Sequence, residues 1–145
     1  MDLDSGHSAE ELMLAVEDTV RFVRLGTTAG GLSRASSSLL NRLHREGPQR
    51  LTELARAENV SQPNMTQVVS RMEKAGLVRR VPDESDGRGV LVESTAEGRR
   101  TAEQRQTERA SALQQLLEAL SEPELEAVRI ALPALARAVR DHADG

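Results

Sequence analysis

Apolar residues recur every three or four positions along most of the chain, which is the spacing of one face of an α-helix. Near the N-terminus, Ser8 and Glu11 have the spacing of a capping box, and the apolar positions that follow predict a first helix over residues 9–28. A second helix is predicted to begin after Ser33 and to end before Gly47. The first third of the chain is therefore expected to be helical.

Two more helices are predicted next, with a short connection between them. Thr52 is expected to cap a short helix over residues 53–57, and Ser61 a longer one over residues 62–75. Asn59 stands in the connection, at a point where a residue with left-handed backbone would fit. A short helix, a tight turn and a longer helix form the layout of a helix-turn-helix.

After Gly76, which is expected to end the fourth helix in a left-handed conformation, the pattern becomes β-rich. The runs Val78–Val81 and Val90–Ser94 are separated by a segment rich in Pro, Asp and Gly. This is the signature of a β-hairpin. A hairpin directly after a helix-turn-helix predicts a winged helix-turn-helix.

The C-terminal third is predicted to form two helices. Thr95 would cap a long polar helix, and Ser121 with Glu124 forms a capping box that opens a last helix, to about His142. Pro133 falls inside this last helix and is expected to kink it. The apolar positions of the last helix have the three-and-four spacing of a helix–helix seam: Leu125, Val128, Leu132, Leu135 and Val139. The predicted fold class is mainly α with a small β-hairpin wing.

The composition favours packed helices and excludes thiol chemistry. Aromatic residues make up 1% of the chain and cysteine is absent, so disulfides, thiolate metal sites and a cysteine nucleophile are excluded. The sequence contains no Gly-rich phosphate loop, metal-ligand cluster or nucleophile–base pair, so we expect neither an enzyme nor a cofactor or metal site. Without a signal peptide or a membrane span, a cytoplasmic protein is expected, with no membrane partner.

Charge is distributed unevenly along the chain. The formal net charge is -4, yet residues 34–100 carry 12 basic and 9 acidic side chains, a net of +3, which leaves -7 on the rest. A basic centre suits contact with phosphate, although a net of +3 is a weak electrostatic signal by itself. The charge pattern therefore permits DNA binding without establishing it.

The predicted fourth helix has two chemically different faces. Met65, Val68, Val69 and Met72 fall on one stripe that is expected to face the core. The opposite face carries amide, hydroxyl and guanidinium groups that can pair with base edges in a major groove. We predict major-groove contacts from Gln62, Pro63, Asn64, Thr66, Gln67, Ser70 and Arg71, and phosphate contacts from Thr52, Ser61 and Lys74.

An ordinary solvated helix face would show the same polar pattern, and the neighbouring short helix and hairpin are what favour DNA recognition. In the hairpin loop, Arg88 stands between two glycines and would suit a narrow minor groove, with Asp86 pairing with it and fixing its direction. The alternative is that Asp86 and Gly87 only form the turn and that Arg88 is solvated.

Two stretches of the chain resemble the MarR family of bacterial transcriptional regulators, and the resemblance covers nearly the whole length. The first stretch comprises Leu51–Ala55, Val60–Thr66 and Arg71–Val78. The second, Ser85–Val92, is similar to the Asp-x-Arg wing of the family.

The resemblance implies a homodimer that binds double-stranded DNA. Residues 1–145 would form one MarR-like unit, in which residues 33–95 are the winged helix-turn-helix and residues 8–30 and 96–142 supply the dimerisation helices. Val16, Val20 and the seam of the last helix would lie in the dimer interface. Two recognition helices would then enter successive major grooves of a pseudo-palindromic operator, roughly 34 Å apart.

The resemblance also implies regulation by a ligand. Many members are repressors released by small phenolic or otherwise lipophilic anions, which bind between the dimer helices and the DNA-binding domain. An arginine such as Arg24 would suit such an anion.

The chain departs from the family pattern at two positions: Gly87 stands where the wing is often basic, and Ser94 where many members have an apolar residue. The glycine and the negative total charge leave open a second interpretation, a winged-helix adaptor that binds proteins and has lost DNA binding. Salt dependence of duplex binding distinguishes the two interpretations.

Overall fold

Six helices and three short strands make up the part of the chain that the structure describes. The structure is a computed structural model, and it describes residues 7–26, 31–87 and 89–145. The helices are α1 (Ala9–Leu25), α2 (Arg34–Glu46), α3 (Leu51–Ala57), α4 (Gln62–Lys74), α5 (Ala96–Glu118) and α6 (Glu122–Ala143). The strands are β1 (Gln49–Arg50), β2 (Val78–Pro82) and β3 (Val90–Ser94). The expected fold class is confirmed.

Several helices begin where the sequence predicts, because polar side chains satisfy their first N–H groups. Ser33 and Ser61 each accept a hydrogen bond from a backbone N–H three residues later. Ser121 and Glu124 form the expected capping box at the start of α6. Thr95 Oγ1 accepts a hydrogen bond at 3.0 Å from the first turn of α5. These caps are local in sequence, which is why they could be predicted.

The start of α3 differs from the prediction. Gln49 and Arg50 form β1, which pairs antiparallel with β3, so the sheet has three strands in the order β1-β3-β2. Because this pairing holds the chain extended up to Arg50, α3 begins at Leu51, and Thr52 lies inside its first turn and does not cap it. The backbone N–H of Arg50 instead donates to Glu53 Oε2 at 3.4 Å.

The main apolar core lies in one of two compact units into which the chain divides, the one formed by residues 24–109. Its members come from α2, α3, α4, α5 and the two longer strands, together with the residue that precedes β2, and they pack as one cluster. The cluster consists of Leu39, Leu40, Leu43, Leu54, Ala55, Met65, Val68, Val69, Met72, Leu77, Val78, Val92 and Ala102. The stripe predicted on the fourth helix is therefore buried as expected.

The first turn of α5 passes very close to the backbone that leads into β2. A Cβ atom on Gly98 would lie 2.0 Å from the carbonyl oxygen of Leu77. The same carbonyl accepts a hydrogen bond from the backbone N–H of Thr95 at 3.0 Å. Only a residue without a side chain fits at position 98, so this glycine sets the approach of the helix.

The second unit combines the chain up to Val23 with the chain from Ala110 onwards. Its helix α6 is continuous through Pro133, and neither α6 nor α1 contains a buried residue. Large apolar side chains on both helices are exposed, among them Leu135 at 57% and Val139 at 69%. A single chain therefore leaves much of the predicted seam in contact with solvent.

Candidate nucleic-acid interface

The turn between α3 and α4 is fixed by backbone hydrogen bonds. Asn59 has a φ of 54°, in the left-handed region, as the sequence predicts. Around it, the N–H of Val60 donates to the carbonyl of Ala55 at 3.0 Å, and the N–H of Glu58 to that of Leu54 at 2.9 Å. This geometry fixes the position at which α4 begins relative to α3.

A second set of contacts ties this turn to α2. Glu58 accepts a hydrogen bond from Arg42 Nε at 2.7 Å and another from Ser38 Oγ at 2.6 Å. Arg42 also pairs with Glu46 at 3.1 Å. The hydrogen bond to Glu58 is the main cause that raises the pKa of Arg42 above its ordinary value. The helix-turn-helix is thus anchored to α2 by charged side chains as well as by the core.

The face of α4 opposite the core is polar, and six of the residues for which we predict DNA contacts on it are exposed. Two further side chains of this face, Thr66 and Ser70, are half-buried. The exposed residues are Gln62, Pro63, Asn64, Gln67, Arg71 and Lys74. The structure thus brings the predicted major-groove residues together on one helix.

The two half-buried hydroxyl groups make hydrogen bonds within the protein. Thr66 Oγ1 donates to the carbonyl of Gln62 at 2.9 Å. Ser70 Oγ accepts a hydrogen bond from Arg80 at 3.3 Å, and Arg80 also pairs with Glu73 at 2.6 Å. These bonds make the two hydroxyls weaker candidates for base contact than the exposed amide and guanidinium groups of the same face.

The three candidates for phosphate contact are exposed. Ser61 precedes α4, and its hydroxyl oxygen accepts the N–H of Asn64 at 3.3 Å, which leaves the hydroxyl proton available to a phosphate. Thr52 lies in the first turn of α3, and Lys74 is the last residue of α4. They therefore flank the polar face of α4 in the chain.

The loop between β2 and β3 is organised around Asp83, which is only 8% exposed. Its carboxylate accepts hydrogen bonds from the hydroxyl and the backbone N–H of Ser85 at 2.7 and 3.0 Å, and from Arg50 at 2.8 Å. Its own N–H donates to the carbonyl of Gly89 at 2.9 Å, which closes the loop. The hydrogen bonds from Ser85, followed by that from Arg50, lower the pKa of Asp83 below its ordinary value.

Arg50 also contacts Asp86 at 3.2 Å, so this arginine from β1 joins two carboxylates of the wing loop. This contact could not be predicted from the sequence, because Arg50 and Asp86 are 36 residues apart. Arg88 lies outside the described residues, and both its predicted minor-groove contact and its pairing with Asp86 stay predictions.

A cavity of about 910 Å³ lies within the unit formed by residues 24–109. Its walls come from the end of α1 and from α2, α4 and α5, together with short segments before α2 and between α3 and α4. Among the described residues that line it, five are arginines: Arg24, Arg34, Arg71, Arg105 and Arg109. The cavity is therefore suited to a negatively charged occupant.

Sequence reasoning named Arg24 for this role but not the arginines of α5. Arg105 and Arg109 are four residues apart, a spacing that places two side chains on the same helix face and that was present in the sequence. Arg109 donates a hydrogen bond to Asn41 at 3.3 Å. Its pKa is lowered by burial and by the neighbouring positive charges of Arg105, Arg45 and Arg24, in that order.

The described part of the chain contains neither a membrane-spanning helix nor a cluster of metal ligands. Within residues 7–26, 31–87 and 89–145, no helix is long and apolar enough to cross a membrane. Over the same ranges, no three His, Asp or Glu side chains come together as metal ligands.

Comparisons with known proteins agree with the fold. The sequence model of the MarR family matches residues 32–90. An HTH-type transcriptional regulator of Mycobacterium tuberculosis is 32% identical over 123 residues, which are 85% of this chain and 86% of the relative. Another HTH-type regulator, from Mycobacterium leprae, is 36% identical over 90 residues, 62% of this chain and 63% of the relative.

Solved structures give the same result. A MarR family protein from Bacillus stearothermophilus is 25% identical with a TM-score of 0.77, over 90% of this chain and 91% of that one. A mutant MarR from E. coli shares the fold with a TM-score of 0.76 at 21% identity, over 92% and 99% of the two chains. With the matching sequence, the helix-turn-helix and the wing all in place, the chain belongs to the MarR family of DNA-binding transcriptional regulators, which are not enzymes.

Proposed function

We propose that this protein is a cytoplasmic repressor that binds a pseudo-palindromic operator as a homodimer and is released by a small anionic effector. The observation that carries the proposal is the exposed polar face of α4, the second helix of a helix-turn-helix whose turn and core are fully formed. The one acidic residue of α4, Glu73, pairs with Arg80, so the face offers DNA amide, hydroxyl and cationic groups.

Base recognition is assigned chiefly to Asn64, Gln67 and Arg71, which are exposed on this face. Asn and Gln can bond both N6 and N7 of adenine, and Arg can bond O6 and N7 of guanine. Ser61, Thr52 and Lys74 would contact phosphates and fix the position of α4 in the groove, without adding sequence information.

The homodimer is supported by the exposed apolar faces of α1 and α6. Val16 and Val20 on α1 are 48% and 41% exposed, and Leu132 on α6 is 48% exposed. Apolar residues at helical spacing gain free energy when a second helix covers them. A second copy of the chain carries the same apolar faces, as an isologous two-fold interface requires. The half-buried Leu125 and Val128 would complete this interface.

The effector is assigned to the arginine-lined cavity. Anion binding there agrees with the phenolic or lipophilic anions expected from the family resemblance. The number of arginines indicates a more polar ligand than that resemblance implies.

The experiment that tests the proposal is selection from a random duplex pool with the purified full-length protein. We expect an inverted repeat whose half-sites lie about one helical turn apart. Binding to the selected duplex should weaken steeply as salt rises, because each neutralised phosphate releases counterions. A protein that enriches no sequence and binds no duplex at low salt would be an adaptor, and the proposal would then be wrong.

A further inference from the structure

The cavity in residues 24–109 carries far more positive charge than the chain as a whole. The formal net charge of the protein is -4. The described lining residues nevertheless include five arginines, against a single acidic residue, Glu58. Folding therefore gathers arginines from distant parts of the sequence around one space.

Glu58 does not balance this charge. Its carboxylate is held by Arg42 at 2.7 Å and by Ser38 at 2.6 Å, and Arg42 does not line the cavity. Burial, followed by repulsion from the positive charges of three neighbouring arginines, lowers the pKa of Arg109 below its ordinary value. Negative charge placed in the cavity would relieve this repulsion.

The number of arginines indicates how much negative charge the occupant carries. A guanidinium group binds carboxylate or phosphate through two parallel hydrogen bonds, so each anionic group can satisfy one or two arginines. A ligand with a single charge can therefore bind only one or two of these guanidinium groups. The volume of about 910 Å³ lies within the range of small-molecule sites, so a ligand with several anionic groups fits.

One wall of the cavity belongs to the DNA-contacting helix. Asn64, Gln67 and Arg71 line the cavity, and they are also the residues assigned to base recognition. A side chain that binds an anion in the cavity cannot bind a base at the same time.

We propose that this cavity binds a small anion with two or more negative charges, a polycarboxylate or a phosphate ester, and that this anion competes with DNA for the side chains of α4. The competition, though not the ligand class, rests on the proposed function. The anion then releases DNA by binding directly to the side chains that recognise bases: Asn64, Gln67 and Arg71.

Isothermal titration calorimetry on the full-length protein without DNA tests the ligand class. The probes are citrate for polycarboxylates, pyrophosphate for phosphates and salicylate as a singly charged aromatic acid, all at the same ionic strength. We expect citrate or pyrophosphate to bind at least about tenfold more tightly than salicylate, because more arginines are satisfied. Equal or tighter binding of salicylate, or no binding of either multivalent anion, would overturn the proposal.

Variants locate the site. Arg109→Ala should weaken binding of the preferred anion about tenfold or more, whereas Arg100→Ala, an exposed arginine of the same helix outside the cavity, should leave it unchanged. Since Arg109 also bonds Asn41, Arg34→Ala at the exposed start of α2 provides a second test. Anion binding that survives both cavity substitutions would place the site elsewhere.

Competition has its own signature in DNA binding. With the selected operator and constant ionic strength, the apparent Kd for DNA should rise in proportion to the anion concentration, without a plateau. A plateau, or an unchanged Kd at concentrations that saturate the free protein, would exclude competition. If the protein binds no DNA at all, the proposed function fails together with the competition, while the calorimetry still decides the ligand class.

Discussion

The close approach of α5 to the backbone before β2 makes Gly98→Ala a sharp test of the packing. Alanine is a better helix former than glycine, so this substitution by itself would stabilise a helix by at most about 1 kcal/mol. In the structure the new Cβ would lie 2.0 Å from Leu77 O and 3.4 Å from Leu40 Cδ1. The backbone contact is the decisive one, because no rotamer change can relieve it.

The magnitude follows from what must move. Reaching an ordinary contact of 3.4 Å requires α5 to shift from the Leu77 carbonyl by about 1.4 Å. That shift breaks or stretches two hydrogen bonds of Thr95, to Leu77 O at 3.0 Å and to Gly76 O at 2.6 Å, at about 1 kcal/mol each. Overpacking adds about 1–3 kcal/mol. After subtraction of the gain in helix propensity, we expect a net loss of about 2–4 kcal/mol.

Urea unfolding of the wild type and the variant at one fixed protein concentration measures this loss. The matched control is Ala110→Gly, at an exposed position later in the same helix, which should cost about 1 kcal/mol through propensity alone. A Gly98→Ala protein that is as stable as the wild type, or more stable, would refute the reasoning, because propensity would then outweigh the contact with Leu77.

Four further predictions concern the interface between copies, the wing and DNA. Leu135→Glu should raise the dimer dissociation constant at least about 100-fold, because a two-fold interface would bury the new charge twice. Analytical ultracentrifugation would then show monomers. An unchanged dimer would mean that α6 does not form the interface. The pKa of Asp83 lies below its usual 3.8, so the carboxylate contributes fully to stability above that pH, and the contribution disappears as pH falls through the lowered pKa. The difference in unfolding free energy between wild type and Asp83→Asn should therefore be present at pH 7 and shrink below about pH 4. A difference that does not change with pH would contradict this assignment. Arg88→Ala should weaken operator binding about tenfold in a gel-shift titration without changing dimerisation, and Gln67→Ala should change the consensus selected from a random pool.

The sequence predicted those parts of the fold that are set by local signals. Ser33, Ser61 and Ser121 cap helices through residues three positions away, so hydrogen-bonding chemistry and spacing suffice to find them. The left-handed backbone of Asn59 and Gly76 follows from the same local preferences. The polar face of α4 was likewise visible from helical periodicity alone.

What the sequence did not reveal depends on contacts between distant segments. Strand β1 is only two residues long, and its partner residues in β3 lie some forty positions later, so nothing local marks it. The same pairing explains why Thr52 was wrongly predicted as a cap. Arg34 and Arg109 line the same cavity only because α2 and α5 are brought together by folding. That Arg105 and Arg109 lie on one helix face could be predicted from their spacing.

The closed loop around Asp83 also determines the electrostatics with which the wing would meet DNA. In the sequence, this loop carries three carboxylates, on Asp83, Glu84 and Asp86, and one arginine, Arg88. Its net charge is therefore negative, and the phosphates of DNA would repel it. In the structure, Arg50 lies between two of these carboxylates, at 2.8 and 3.2 Å, and acts as a built-in counter-ion supplied by another strand. A substitution of Arg50 would therefore alter how the wing responds to salt, although no residue of the wing itself had changed.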